Sequence, residues 1–553
     1  MNARFFLHEA PMTLPGTLTN PPLAVGLAGL LDWSTAQPLL DHFKLARPWT
    51  GTVGGRFGAL SFDDLRAQGV IDPQGWPLAV PEGVEAVSTV LLTELHAGAQ
   101  DLAGRYLLTW RGEGEIALKG ATAQAPQDGG IAFDFRPDPQ RALGLDITRI
   151  TRGPIRDIRV VQLDNLSRHR DGQLFRREWL DRVRNYRLLR FMDWMFTNNS
   201  VQAEWADRPR PEDAFYTWRG APVEVMVAAL NEVGADGWFC VPHLASADWL
   251  RRFATVVRDG LSPGLRAWYE YSNEMWNMQF GQTQWAIEQA RGLWPAQGDG
   301  FMQLYAARSV AMAEELDRIH AADPGRCVKV ISTHTHWLGL EGAALDAPDW
   351  RADHPQKPPP YRHFDAYAVS GYFDGGIDRA ENVPAIRALL ERGEAAARTA
   401  LRDQMLHGGW PESGRTIASL RQTWDYHAEI ARRRGLALVM YEGGSHITPP
   451  APALADPALA EFYQRFNYSA EMGQVYTAAL DEWAAAGGSQ FNQFVECDRP
   501  SPFGYWGLQR HLGDENPRWA AVDTWNRGHQ GQDGRGGSDF VGGYEMDNNS
   551  SGG

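Results

Sequence analysis

From about residue 180 onward, short apolar runs alternate with segments of helical periodicity. This alternation restricts the fold more than any other feature of the chain. The runs are 186–192, 237–243, 265–274, 327–333, 364–372, 436–442 and 489–495. Between them lie helix-like stretches at 223–233, 246–258, 301–321, 417–434 and 458–486. Near-continuous apolarity means that both faces of a strand are buried, as in a parallel sheet. Seven such strands, each followed by a helix or a long loop, predict an α/β fold of the (β/α)8 barrel type with one strand still to be found. The apolar run 23–33, which precedes a helical segment at 34–43, supplies the eighth.

Roughly 150 residues then separate the first strand from the second, far beyond an ordinary connection of a few residues. That interval has a different texture. Residues 104–120 read as two alternating strands around a glycine-rich turn, and 131–135, 142–150 and 155–163 continue the pattern. Residues 80–165 are therefore expected to form a small β-sandwich inserted in, or packed on, the barrel. Residues 1–79 would carry the first barrel strand, and 166–525 the remainder of the barrel. The stretch 526–553, rich in Gly, Asp, Asn and Ser, is expected to be a disordered tail.

A formal charge of −15 argues against nucleic acid or an anionic membrane as a partner, since phosphate binding needs a basic surface. It equally disfavours a strongly anionic polysaccharide unless the site is locally basic, so a neutral substrate is expected. No run approaches the roughly 20 apolar residues that span a bilayer. Cys240, Cys327 and Cys497 lie far apart without metal-ligand spacing and read as buried reduced thiols. Phe5-Phe6-Leu7 is too short for the core of a signal peptide. The expectation is a cytoplasmic protein, or a secreted or periplasmic one whose leader is missing from this sequence.

Two glutamates close apolar runs: Glu274 in the run 265–274 and Glu442 in the run 436–442. Barrel enzymes place their chemistry at the carboxyl ends of strands. Glycoside hydrolysis needs two carboxyl groups flanking one bond, about 5–5.5 Å apart in retaining enzymes and about 6.5–9.5 Å in inverting ones. Strands four and seven face each other across a closed barrel, so these two side chains can converge at its mouth. Asn273 supplies a neutral group able to hold a sugar hydroxyl. Glu270, four residues before Glu274, is expected nearer the barrel interior in a structural hydrogen-bonding role. Arg190 would be costly to bury unpaired, which calls for a carboxylate partner in Glu442 or Asp193. His334 and His336 form a His-x-His pair at the end of strand five. With no cysteine or carboxylate nearby in sequence, a substrate contact by His336 is favoured over a zinc site.

Asn273-Glu274 ending the fourth strand, with Glu442 ending the seventh, resembles clan A of the glycoside hydrolases. The resemblance implies that Glu274 is the general acid/base and Glu442 the nucleophile of a retaining mechanism that needs no cofactor or metal. It further implies that Arg190 and Tyr372 orient the nucleophile, that His243 lines a sugar subsite, and that Trp506 is a platform for a sugar ring. The longer string Glu-Tyr-Ser-Asn-Glu-Met-Trp-Asn (270–277) is not that of the clan's best-known cellulases. Trp194, Trp276, Trp337 and Trp506, out of 22 tryptophans, fall at strand-to-helix ends, where flat indoles can stack on sugar rings. They favour an oligo- or polysaccharide as substrate, with endo-β-glucanase-like cleavage of β-glycosidic bonds. The competing readings are an inverting glycosidase and a carbohydrate-binding protein that has lost catalysis.

Overall fold

The computed structural model describes residues 21–127, 130–294 and 298–530. Eight parallel strands close into a barrel: β1 (Ala24–Gly26), β2 (Leu188–Arg190), β3 (Asp236–Val241), β4 (Ala267–Tyr271), β5 (Cys327–Ser332), β6 (Ala366–Phe373), β7 (Ala437–Ser445) and β8 (Asn492–Phe494). Closure is made by β1, whose Gly26 is in register with Arg190 on one side and Phe494 on the other. Helices such as Val223–Val233, Ala247–Gly260, Gly300–Ile319 and Ile417–Arg434 cover the outside. The strands are buried on both faces, as their apolarity requires, and Trp238, Phe239, Val330, Ile331, Val439 and Met440 are almost wholly enclosed. All three cysteines are buried and free.

Four expectations need correction. The segment 34–43 is not an α-helix, and only a short 3-10 turn, His42–Leu45, forms there. Pro38 removes an N–H and disfavours the right-handed helical region for the residue before it, and Gln37 lies outside that region at φ 35°. The segment is extended instead at Leu39, which makes an antiparallel bridge to Phe175, and Ala36 and Leu39 are buried in the barrel core. The stretch 458–486 is two helices, Pro457–Asn467 and Ala470–Ala485, because the Ser469 hydroxyl caps the second by accepting from the Met472 N–H. Residues 526–528, assigned to the tail, end the helix Pro517–Gly528. Residues 529–530 form a turn after it, and the tail from 531 on and the Phe5-Phe6-Leu7 patch lie outside the described residues.

The fourth correction concerns the accessory module. Its strands form one seven-stranded antiparallel sheet, which Thr50–Val53 and Arg56–Leu60 join upstream of residue 80. The two strands expected around a turn at 104–120 are one long strand, Gly104–Lys119, and those expected at 142–150 and 155–163 are another, Leu143–Gln162. The pair runs through both halves of this sheet, with register shifts at several points where its regular pairing is interrupted. One apolar cluster collects Val87, Leu145 and Ile147 from one half and Tyr106, Leu108 and Phe133 from the other. The module is thus one continuous sheet whose two halves contribute to a single core. In sequence the sheet lies between β1 and β2, so it is an insertion in the barrel.

Candidate active site

The loops and strand ends of β4 to β8 surround a cleft of about 470 Å³ at the carboxyl ends of the barrel strands. Glu274, Trp276 and Asn277 enter it after β4, and His336 and Trp337 after β5. Tyr372 comes from β6, Tyr441 and Glu442 from β7, and Phe494 and Trp506 from β8 and beyond. The two glutamates therefore share one cavity wall.

Neither glutamate ends a regular strand as the sequence suggested. β4 stops at Tyr271, and Glu274 lies in the turn that follows. Ser272 and Glu274 both adopt positive φ, 62° and 41°, which is uncommon for residues with a side chain. Such backbone costs on the order of 1–3 kcal/mol per residue and concentrates at functional sites. Glu442 lies within β7, which continues to Ser445. A register shift there pairs Met440 with Val369 and Glu442 with Ser370, leaving Tyr441 as the extra residue of a bulge. Successive residues of a regular strand point to opposite faces. The bulge breaks that alternation, and both Tyr441 and Glu442 line the cleft.

Arg190 lies beneath them, almost fully buried. Its Nη1 donates to Glu442 Oε1 at 2.6 Å, and its Nη2 donates to Glu270 Oε2 at 2.9 Å and to Asn273 Oδ1 at 2.8 Å. Between the two candidate partners, Glu442 is thus the carboxylate that Arg190 engages, and Glu270 is a second one. Glu270 is held in turn by Trp238 Nε1 at 3.1 Å and Ser332 Oγ at 2.7 Å. Tyr372 donates its phenol to Glu442 Oε2 at 2.8 Å. Burial, with the carboxylates beside it, pushes that phenol well above its ordinary range, so it stays a donor at any working pH.

Glu274 has different neighbours. Its Oε1 accepts from Tyr441 at 3.1 Å and its Oε2 from Asn277 Nδ2 at 2.9 Å, both uncharged groups. Burial raises the proton affinity of both glutamates; the Glu270 carboxylate adds to this at Glu274, and the Glu274 carboxylate adds to it at Glu442. Two such groups on one cavity titrate as a pair. The guanidinium bonded to Glu442 favours the charge on that residue.

The other residues singled out in the sequence separate into two groups. Trp276, His336, Tyr372 and Trp506 line the cleft. Trp276 is packed at 5.7 Å on Tyr441, whereas Trp337 is 45% exposed. His243 is not part of this wall. Its ring meets Trp285 edge-on at 5.3 Å, and its Nδ1 is buried without a partner. Asn273 is buried under the wall, accepting from Arg190 and donating to Asn198 Oδ1 at 3.1 Å. Trp194 is enclosed and donates its indole N–H to the Ala28 carbonyl. Sequence reasoning missed Tyr441, Asn277, His446 and Arg415. The first three lie within four residues of a glutamate, which is a usable signal. Arg415 lies in a loop remote in sequence from both.

No family model matches this chain, and no curated protein matches it. Among solved structures, it is similar to the endo-β-1,4-mannanase from Thermotoga petrophila at 10% identity, over 65% of this chain and 73% of that one, with a TM-score of 0.34. It is also similar to a β-galactosidase from the psychrophilic Marinomonas ef1 at 12% identity, over 63% and 56% of the two chains, with a TM-score of 0.32. A third likeness is to β-glucuronidase 2 of Bacteroides uniformis at 10% identity, over 81% and 48%, with a TM-score of 0.28. The activity of this chain has to come from its own side chains.

Proposed function

We propose that the protein is a retaining glycoside hydrolase that cleaves β-glycosidic bonds in an oligo- or polysaccharide. The observation that carries this reading is the unequal bonding of two buried carboxyl groups on one cleft wall. Glu442 accepts from a guanidinium and a phenol, which favour its ionised form. Among the described residues Glu274 accepts only from neutral donors, and in this reading it is the group that carries the proton.

In the first step Glu442 attacks the anomeric carbon while the glycosidic C–O bond breaks, and Glu274 gives its proton to the departing oxygen. In the second, water attacks the glycosyl ester and passes its proton to Glu274, and Glu442 leaves as a carboxylate. Tyr372 and Arg190 keep the nucleophile oriented through both steps. The aromatic wall of Trp276, Trp337, Phe494 and Trp506 supports stacking of sugar rings and glucanase-like action on an extended glycan.

Glu442→Ala should lower kcat by on the order of 10³-fold or more. Added azide should restore turnover of an activated aryl glycoside and give a glycosyl azide of inverted configuration. Undiminished hydrolysis in this variant would remove Glu442 from the mechanism. NMR of the first-formed product anomer separates the retaining reading from an inverting one.

A further inference from the structure

The same cleft has a second group of polar residues, which reaches the glutamates through Tyr372, packed edge-on against His446 at 5.4 Å and bonded to Glu442. Arg415, in the loop ahead of helix Ile417–Arg434, lines the cleft together with His334, His336 and His446. Among the described residues that line the cleft, Arg415 is the only lysine or arginine. Burial lowers the proton affinity of all three imidazoles, to about 4 for His336 and His446, so they serve as neutral donors and acceptors.

Arg415 is fixed from several directions. Its Nε donates to Asp374 Oδ2 at 2.6 Å and its backbone N–H to Oδ1 at 3.1 Å. Its carbonyl accepts from the N–H groups of Asp374 and Gly375, each at 3.0 Å. Asp374 is fully buried and also accepts from the Gly376 N–H at 2.7 Å. The neighbouring Gly414 has φ +56°, and a Cβ there would collide with Asp374 Oδ1 and with the Gly376 backbone. The sequence thus gives up a side chain so that this loop can seat the arginine. Neither Nη group of Arg415 has a hydrogen-bond partner among the described residues, so the edge that grips a carboxylate or sulfate with two parallel bonds is open.

We propose that Arg415, seated on Asp374 and flanked by the three histidines, is an anion-binding wall, and that the glycan cleaved here carries a carboxylate or sulfate group. This rests on the hydrolase reading above and refines its substrate class. The charge of −15 led to an expectation of neutral substrates, but that charge belongs to the whole chain, and the cleft presents an open guanidinium edge.

The test compares a uronate-bearing β-glycan with its carboxyl-reduced form, and a sulfated β-glycan with its desulfated form, as substrates of the full chain. One of the acidic members should be preferred by on the order of 10²-fold in kcat/KM, as a site built for a polar group rejects an analogue that lacks it. Whichever pair shows the preference identifies the anion. Arg415→Gln should erase the preference chiefly through KM, and Arg415→Lys should restore only part of it, because an ammonium cannot form the two-pronged contact. Equal rates on both members of each pair, or a loss in Arg415→Gln that falls equally on both, would overturn the proposal and reduce Arg415 to a loop staple. Calorimetric titration of the same glycans separates the two readings. Tight binding of an acidic glycan that Arg415→Gln abolishes, without hydrolysis, upholds the anion wall and sinks the hydrolase. Absence of both binding and hydrolysis overturns both.

Discussion

At the scale of single residues, the chemistry turns on which hydrogen bonds reach which carboxyl oxygen. Burial is the largest influence on Glu274, and the bonds from Asn277 and Tyr441 work against it by favouring the charged form. Activity in the proposed mechanism requires Glu442 ionised and Glu274 protonated. It should therefore fall on the acid side as Glu442 takes up a proton and on the alkaline side as Glu274 loses one. Because both groups are raised above the ordinary carboxyl value, both limbs should lie at higher pH than free carboxyl groups would give. Tyr441→Phe removes a donor to the carboxylate form of Glu274. The alkaline limb of kcat should then move upward, by about half to one pH unit for a bond of ordinary strength. A limb that stays in place, or moves down, would show that the phenol does not tune this group.

At the scale of elements, five barrel strands converge on one ion network. Arg190 comes from β2, Trp238 from β3, Glu270 from β4, Ser332 from β5 and Glu442 from β7. Leaving one member of a buried pair without its partner is far costlier than losing an exposed pair. Glu270→Gln should therefore destabilise the protein by about 3 kcal/mol, read as a lower denaturant midpoint with an unchanged slope. It should also slow turnover, since Arg190 then keeps Glu442 as its one carboxylate partner, with only the neutral Asn273 on the other side. Much at this scale was legible beforehand: all eight strands overlap the apolar runs, because burial on both faces leaves a compositional signature. The exact end of each strand was not. The bulge at Tyr441 and the left-handed residues at 272 and 274 come from the closing geometry of the barrel mouth, which local periodicity does not encode. Pro38 was a local signal against helix at 34–43, outweighed by the apolar pattern around it.

At the scale of the whole molecule, the inserted sheet and the barrel share structure that neither run of sequence announces. The long interval after β1, with its two-residue alternation, was enough to foresee an antiparallel insertion. Its attachment was not legible, because the contacts join residues far apart in the chain. Ala214 and Phe215, from the loop that follows β2, are fully enclosed in the apolar core of the sheet beside Trp49 and Phe62. Lys44 bonds the carbonyls of Pro211 and Asp213 in that same loop, at 3.0 and 2.5 Å. Arg176, on the barrel side and wholly buried, pairs with Asp101 of the insertion at 2.7 Å. On the cleft side, Arg499 after β8 reaches Glu94 at 3.2 Å, which ties the insertion to a loop that leads to Trp506. A core that takes side chains from both parts cannot be exposed by one part unfolding alone. Calorimetry should therefore show a single thermal transition for the full chain, and two resolved transitions in the unaltered protein would contradict the shared core. Phe215→Ala removes a ring packed edge-on against Phe62 at 5.6 Å and should cost about 3–5 kcal/mol, as for other buried phenylalanines. The loss should fall first on the seam, so the variant's single transition should broaden or split, with the insertion melting ahead of the barrel.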